Sequence, residues 1–127
     1  MSSKYERELK KILEKRNFFV IRSAGSKSID LISAIPGRYP GHIIFIEEKS
    51  THKDRFYVSN KQETKDQYDT NRSLFIMYGL HIVYAVRYIS SEKNKLWKIY
   101  EPDYEKDGYP VLKKDEGTLL EDWILKL

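Results

Sequence analysis

Asp30, Glu47 and Lys49 are the residues whose types and spacing point most directly to chemistry. They lie in the stretch SIDLISAIPGRYPGHIIFIEEKS, where two apolar runs flank a loop rich in proline and glycine, the pattern of a β-hairpin. Pairing Ile35 with His42 across the loop 36–41 gives opposed residues whose numbers sum to 77. Asp30 then faces Glu47, with the two side chains about 5 Å apart on one face of the sheet. Lys49, two residues further on, points to the same face about 7 Å away. Two carboxylates this close repel unless a proton or a cation lies between them. The cluster reads as a divalent-metal site with an amine beside it. The plainer reading of the same residues is a surface ion pair at a strand end.

An E-x-K triplet is weak by itself, because the chain is 33% charged and contains three of them. Glu8-Leu9-Lys10 and Glu63-Thr64-Lys65 fall in segments with helical spacing, where residues two apart do not face each other. Only Glu47-Glu48-Lys49 ends a strand-like run, and only it has an aspartate in register.

The elements that must position these residues follow from periodicity. Tyr5, Leu9, Ile12 and Leu13 form one apolar face of a helix over 3–16, which Asn17 stops. Strands are expected over 18–22, 29–35, 42–49, 80–88 and 96–100, and the second and third are apolar on both faces, as in a sheet covered on both sides. Residues 23–28 (SAGSKS) read as a small-residue basic loop and 51–59 (THKDRFYVS) as a basic loop with aromatics. Ser59 and Gln62 form a capping box for a helix starting at Asn60, polar to Ser73, apolar over 74–78 and ended by Gly79. Residues 104–110 read as a loop. Thr118 and Glu121 form a second box, opening a short helix with Leu119, Leu120, Trp123, Ile124 and Leu127. The predicted order αβββαββα is that of an α/β domain with a mixed central sheet and helices on its faces.

With 127 residues the chain is expected to be one domain, 1–127, including the acidic segment 101–127. It has no apolar run of membrane-spanning length and no leader pattern, so an intracellular, cytoplasmic protein is expected. It has no cysteine, which excludes disulfides and thiolate metal sites. Residues 1–100 carry 19 basic and 11 acidic side chains, a net charge of +8, whereas 101–127 carry 4 and 8, a net of −4. A basic body with an acidic tail suits a polyanionic partner. The three histidines, His42, His52 and His81, lack metal-ligand spacing, and the ten tyrosines are as compatible with core packing as with base stacking.

The chain resembles the archaeal and viral Holliday-junction resolvases, a branch of the PD-(D/E)xK nucleases. The colinear stretch runs from Glu6 through ERELKKILEKRNFFVIRSAGSKSIDLI to FIEEKST and KDRFYVS, about the first half of the chain. The resemblance implies a restriction-endonuclease-like fold, a homodimer, and magnesium (Mg2+, with Mn2+ able to substitute). It implies paired cuts in opposing strands of a four-way junction that leave 5′-phosphate and 3′-hydroxyl ends. Asp30, Glu47 and Lys49 match the core triad, and Glu6 matches the acidic residue of the first helix that joins Asp30 and Glu47 at the metal. Ser26 matches a catalytic serine in the loop beside the site, and Arg7 and Arg22 match basic positions linked to catalysis or DNA contact. Lys49 suits an electrostatic role better than that of a general base, because neighbouring carboxylates favour its charged form. Arg7, Lys10, Arg22, Lys27, Lys53, Arg55 and Lys61 are candidate phosphate contacts, with Gly25 allowing close backbone approach. Gln62 fits either DNA contact or its capping box.

Three features depart from the family pattern. Ile29 stands where the superfamily name has proline, and the loop 36–41 is longer than a tight hairpin. Glu48 occupies the middle of E-x-K, on the face that should be covered, so it requires an exposed strand end, a basic partner, or a register slipped by one that makes Glu48 the ligand. A dimer contact is expected at Leu74, Phe75 and Tyr78 or around Trp123, and both stripes also fit a core. Two other functions remain open at this stage: a nuclease of the same superfamily for another DNA substrate, and a non-catalytic nucleic-acid-binding module.

Overall fold

The computed structural model describes residues 3–23, 28–90 and 95–127. Helix α1 (Ser3–Lys15) leads into β1 (Phe19–Arg22), β2 (Leu31–Ala34), β3 (Ile43–Thr51) and β4 (Arg55–Tyr57). A 3-10 turn (Val58–Asn60) precedes α2 (Gln62–Tyr78), followed by β5 (His81–Tyr88), β6 (Leu96–Tyr100), β7 (Val111–Lys113), β8 (Thr118–Leu119) and α3 (Leu120–Lys126). Six strands form one sheet in the order β1-β2-β3-β5-β6-β8, in which only β3 and β5 run parallel. Strands β4 and β7 make a separate two-stranded ribbon.

The hairpin at the heart of the site has the expected register. Leu31 pairs with Ile46 and Ala34 with Ile43, and the Ile35 amide donates to the His42 carbonyl at 3.1 Å. Extended one residue beyond its last pair, Leu31 with Ile46, that register sets Asp30 beside Glu47; the Asp30 amide itself donates to the Ile46 carbonyl at 2.8 Å.

Strand alternation divides the core in two. Ile44 and Ile46 of β3 and Val83 and Ala85 of β5 pack with Leu9 and Leu13 of α1 and Leu120 and Trp123 of α3. On the opposite face Ile82, Tyr84, Val86 and Tyr88 of β5 pack with Tyr68 of α2, Tyr104 and Leu112. The central strands are buried on both sides, as their continuous apolar runs require. Helix α1 stops where Asn17 takes a left-handed backbone (φ 69°), and α2 stops at Gly79 (φ 64°), whose amide donates to the Phe75 carbonyl.

Several expectations fail at the short elements. The stretch 51–59 is not all loop, since Arg55–Tyr57 forms β4 against β7. Strands of two or three residues carry too little alternation to stand out, which is why β4, β7 and β8 are missing from the predicted order. Neither capping box forms. The first turn of α2 follows Lys61, with no side-chain cap; Gln62 bonds Asp66 at 2.8 Å, and the Thr64 hydroxyl donates to the Val58 and Lys61 carbonyls. Thr118 is spent in β8, and α3 follows Leu119 without a side-chain cap. Ile29 lies outside β2, with a left-handed backbone of φ 38°. Among the described residues no helix is long and apolar enough to cross a membrane.

Gly117 holds β8 against β6. A Cβ there would lie 2.6 Å from Tyr100 Cζ and 2.8 Å from Lys98 Cβ. The Tyr100 ring cannot swing away, because its hydroxyl donates to the Lys113 carbonyl at 2.6 Å. Gly117→Ala is expected to lower stability by about 1–3 kcal/mol, read from the midpoint of urea unfolding.

Candidate active site

Asp30 and Glu47 are held by backbone geometry rather than by flexible side-chain reach. Asp30 Oδ2 accepts the Glu48 amide across the hairpin at 2.6 Å. Glu47 is 1% exposed, and its Oε1 accepts two N–H groups at 3.1 Å, the Ile29 amide and the Asn71 side-chain amide. The left-handed turn at Ile29 is what aims that amide. A positive φ at a β-branched residue is strained by about 1–3 kcal/mol, a cost found mainly at functional sites. Glu47 Oε2 faces Lys49 Nζ at 3.4 Å, and Lys49 also donates to Gln67 Oε1 of α2.

Glu6, in the first turn of α1, accepts a bond from Arg22 at 3.2 Å. Its charge still reaches Asp30. Burial is the largest of the effects that push the Asp30 carboxyl from its ordinary 3.8 up to about 7, followed by the Glu47 charge and, more weakly, that of Glu6. The Glu48 amide and Lys49 pull it the other way without compensating. Loss of solvent, with the neighbouring carboxylates adding to it, thus disfavours the charged form of Asp30.

Among the described residues, no group of three or more histidine, aspartate or glutamate side chains is close enough to hold a metal ion directly. The pair Asp30 and Glu47 remains, with Glu6 turned to Arg22. Hard carboxylate oxygens, one group buried and the other half-buried beside it, are nevertheless the donor chemistry that suits a small divalent cation.

The candidate DNA contacts divide. Lys49, Arg55 and Lys61 line one cleft of about 290 Å³ with Glu48, Ser50, Tyr57 and Asn60, and Lys49 connects it to Glu47. Arg22 belongs to the site through Glu6, while Arg7 and Lys53 are exposed and Lys10 is bonded to Glu14 at 2.7 Å. Gln62 is engaged by Asp66 on the helix surface. Gly25, Ser26 and Lys27 lie outside the described residues.

Glu48 is 1% exposed and lies on the α1 face of the sheet, with Ile44 and Ile46 and on the side that carries Arg22 and Arg87. An exposed strand end is therefore excluded, and the register keeps Glu47, not Glu48, opposite Asp30. The sequence reading missed Gln67 and Asn71. Their signal was available, since they stand one turn apart in a helix whose buried side includes Thr64 and Tyr68. Polar side chains at such positions need partners, and here the partners are Lys49 and Glu47.

Removing the Asp30 charge should stabilise the metal-free protein. Because the folded state holds a proton that the unfolded chain releases, the contribution of Asp30 favours folding at about pH 4 and is lost as pH rises through about 7. In chelator, Asp30→Asn is expected to melt a few degrees above the wild type at about pH 8 and close to it at about pH 4. A variant that melts no higher than the wild type at the higher pH would show that ionising Asp30 costs the fold nothing.

The family described as archaeal Holliday junction resolvase (Hjc) matches residues 2–126. A relative from Methanocaldococcus jannaschii, the crossover junction endodeoxyribonuclease Hjc, is 51% identical over 61 residues, which are 48% of this chain. The match spans only 42% of that relative's length. The solved structure of Archaeoglobus fulgidus Hjc, a Holliday junction resolvase from an archaeal hyperthermophile, superimposes with a TM-score of 0.69 over 99% of this chain and 97% of that one. At 18% identity that likeness establishes the fold, a mixed sheet flanked by helices of the restriction-endonuclease-like class. With nearly its whole length matched, the chain belongs to the archaeal Holliday-junction resolvase (Hjc) family.

Proposed function

We propose that this protein is a metal-dependent endonuclease that resolves four-way DNA junctions by paired, symmetric nicks. The observation that carries the proposal is the in-register pair Asp30 and Glu47, with Lys49 bonded to Glu47 beside a basic cleft. A binding module has no use for clustered carboxylates next to phosphate, since they repel the backbone it must hold. Asp30 and Glu47 would hold a hard divalent cation, magnesium or its substitute manganese, which supplies Lewis acidity at the scissile phosphate.

The protein's own groups then have distinct tasks. Lys49, fixed by Glu47 and Gln67, places a positive charge where negative charge develops on the phosphate oxygens, and orients the attacking water. Glu6 and Arg22 form an ion pair that ties the first turn of α1 to the end of β1 at the site. Arg55 and Lys61, with Lys53 and Arg7 further out, would grip the DNA backbone without reading bases. Hydrolysis in line would leave 5′-phosphate and 3′-hydroxyl ends. Such a substrate places the protein inside a cell, with cellular or viral DNA.

A homodimer suits the two-fold symmetry of a junction. Phe19 and Ile21 of β1 and Ile43 of β3 are exposed on the α2 face of the sheet, and Ile76, Met77 and Tyr78 are exposed at the end of α2. Both groups lie toward the start of β3 and β5, since β5 follows Tyr78 after two residues. Exposed apolar side chains so concentrated mark an association surface. The alternative contact around Trp123 is set aside, because that side chain is 4% exposed in the core.

The decisive assay sets a labelled immobile four-way junction beside a linear duplex of the same arms, with and without Mg2+. Paired nicks in the junction alone, lost in chelator and in Asp30→Asn, are expected. Equal cutting of both substrates would favour a general nuclease, and binding without cutting under every divalent metal would favour the binding module. The double variant Phe19→Glu, Ile21→Glu is expected to elute as a monomer by light scattering and to nick one strand without its symmetric partner.

A further inference from the structure

Asn71 is an unusual residue to find where it is. It is fully buried in α2, beside Tyr68 and Tyr84, and its Oδ1 is buried without a hydrogen-bond partner. A leucine would avoid that orphaned acceptor. What the asparagine provides is its Nδ2, which donates to Glu47 Oε1 at 3.1 Å and to the Tyr84 hydroxyl at 3.2 Å. Tyr84 is the neighbour of Glu47 in the parallel pair of β3 and β5, so the amide is anchored by the same ladder that places the carboxylate.

The consequence is an oxygen count. Glu47 Oε1 is occupied by two N–H donors, Ile29 and Asn71, which leaves Oε2, on the Lys49 side, to meet a ligand. Asp30 Oδ2 accepts a single N–H, from the Glu48 amide, and keeps a second lone pair, so Asp30 carries no such limit. Glu47 therefore offers one oxygen. A small cation that retains most of its waters is content with single oxygens, whereas calcium takes six to eight and commonly draws both oxygens of a carboxylate. We infer that Asn71 is a specificity-determining residue, which together with the Ile29 amide holds Glu47 Oε1, restricts Glu47 to one oxygen and so disfavours large divalent cations. The inference rests on the metal-binding reading of the site given above. Asn71 acts through Glu47 and is a positioning residue, not a catalytic one.

The experiment is calorimetric titration of the metal-free full chain with MgCl2 and, separately, CaCl2, for the wild type, Asn71→Leu and Glu47→Gln. Circular dichroism confirms the fold of each variant, and Asn71→Ala replaces Asn71→Leu if the larger side chain does not fold. Freeing one lone pair of Oε1, with the Ile29 amide still on the other, is expected to tighten calcium relative to magnesium by roughly 10-fold in the Asn71 variant, at the low end of what partners of metal-binding carboxylates contribute. Glu47→Gln should weaken both ions. A calcium-to-magnesium affinity ratio within about two-fold of wild type in a folded Asn71 variant would overturn the inference while leaving the metal site standing. No saturable binding of either ion by the wild type would overturn the metal reading itself, and this inference with it.

Discussion

A half-buried and a fully buried carboxylate, brought together across one antiparallel hairpin, are the constraint on which the rest of this structure depends. The β2–β3 register brings Asp30 opposite Glu47, and the hairpin ladder fixes it through the Asp30 amide on Ile46 and the Glu48 amide on Asp30. Burial makes the encounter unfavourable, which is why Asp30 retains a proton up to about 7. The fold accepts this opposition because β3 is clamped on both sides, antiparallel to β2 and parallel to β5 over eight paired positions, and its apolar first half anchors both cores. The strand is stable enough to carry a destabilising end.

Around that pair, three elements each contribute one kind of interaction. The backbone gives fixed N–H groups, from Ile29 and Glu48, that orient one oxygen of each carboxylate. Helix α2 gives Gln67 and Asn71, one turn apart, which grip Lys49 and Glu47 from the same side. Helix α1 reaches the site from the other face of the sheet, where Glu6 meets Arg22. The parallel crossover β3–α2–β5 lays α2 over β3, so that its middle rather than its terminus lies over the carboxylates.

Much of this was legible before any coordinates. The hairpin register followed from one assumed pair, because apolar runs on both sides of a proline- and glycine-rich loop leave little freedom of alignment. The long strands and helices were legible for the same reason, namely sustained periodicity or a glycine stop such as Gly79. The ribbon of β4 and β7 was not, since three residues such as Arg55–Tyr57 hold no period, and their pairing is with a segment more than fifty residues away. The two capping boxes were misread because Ser59 and Thr118 have the right residue types three positions before Gln62 and Glu121, yet the backbone enters each helix elsewhere. Local pattern proposes a cap, and the direction of the incoming chain decides it.

The sequence by itself determined which atoms would do the chemistry: the carboxylates of Asp30 and Glu47 and the amine of Lys49, placed on one face by strand alternation, a rule local to the chain. The tertiary structure alone decided how those atoms are presented. It showed that Glu48 is buried on the opposite side and that Glu6 is turned to Arg22. It also showed that Asn71 and Gln67, both from α2, set the orientation of Glu47 and Lys49. Those facts depend on how helices pack over a sheet, where contacts join residues far apart in the chain and no spacing along the sequence records them.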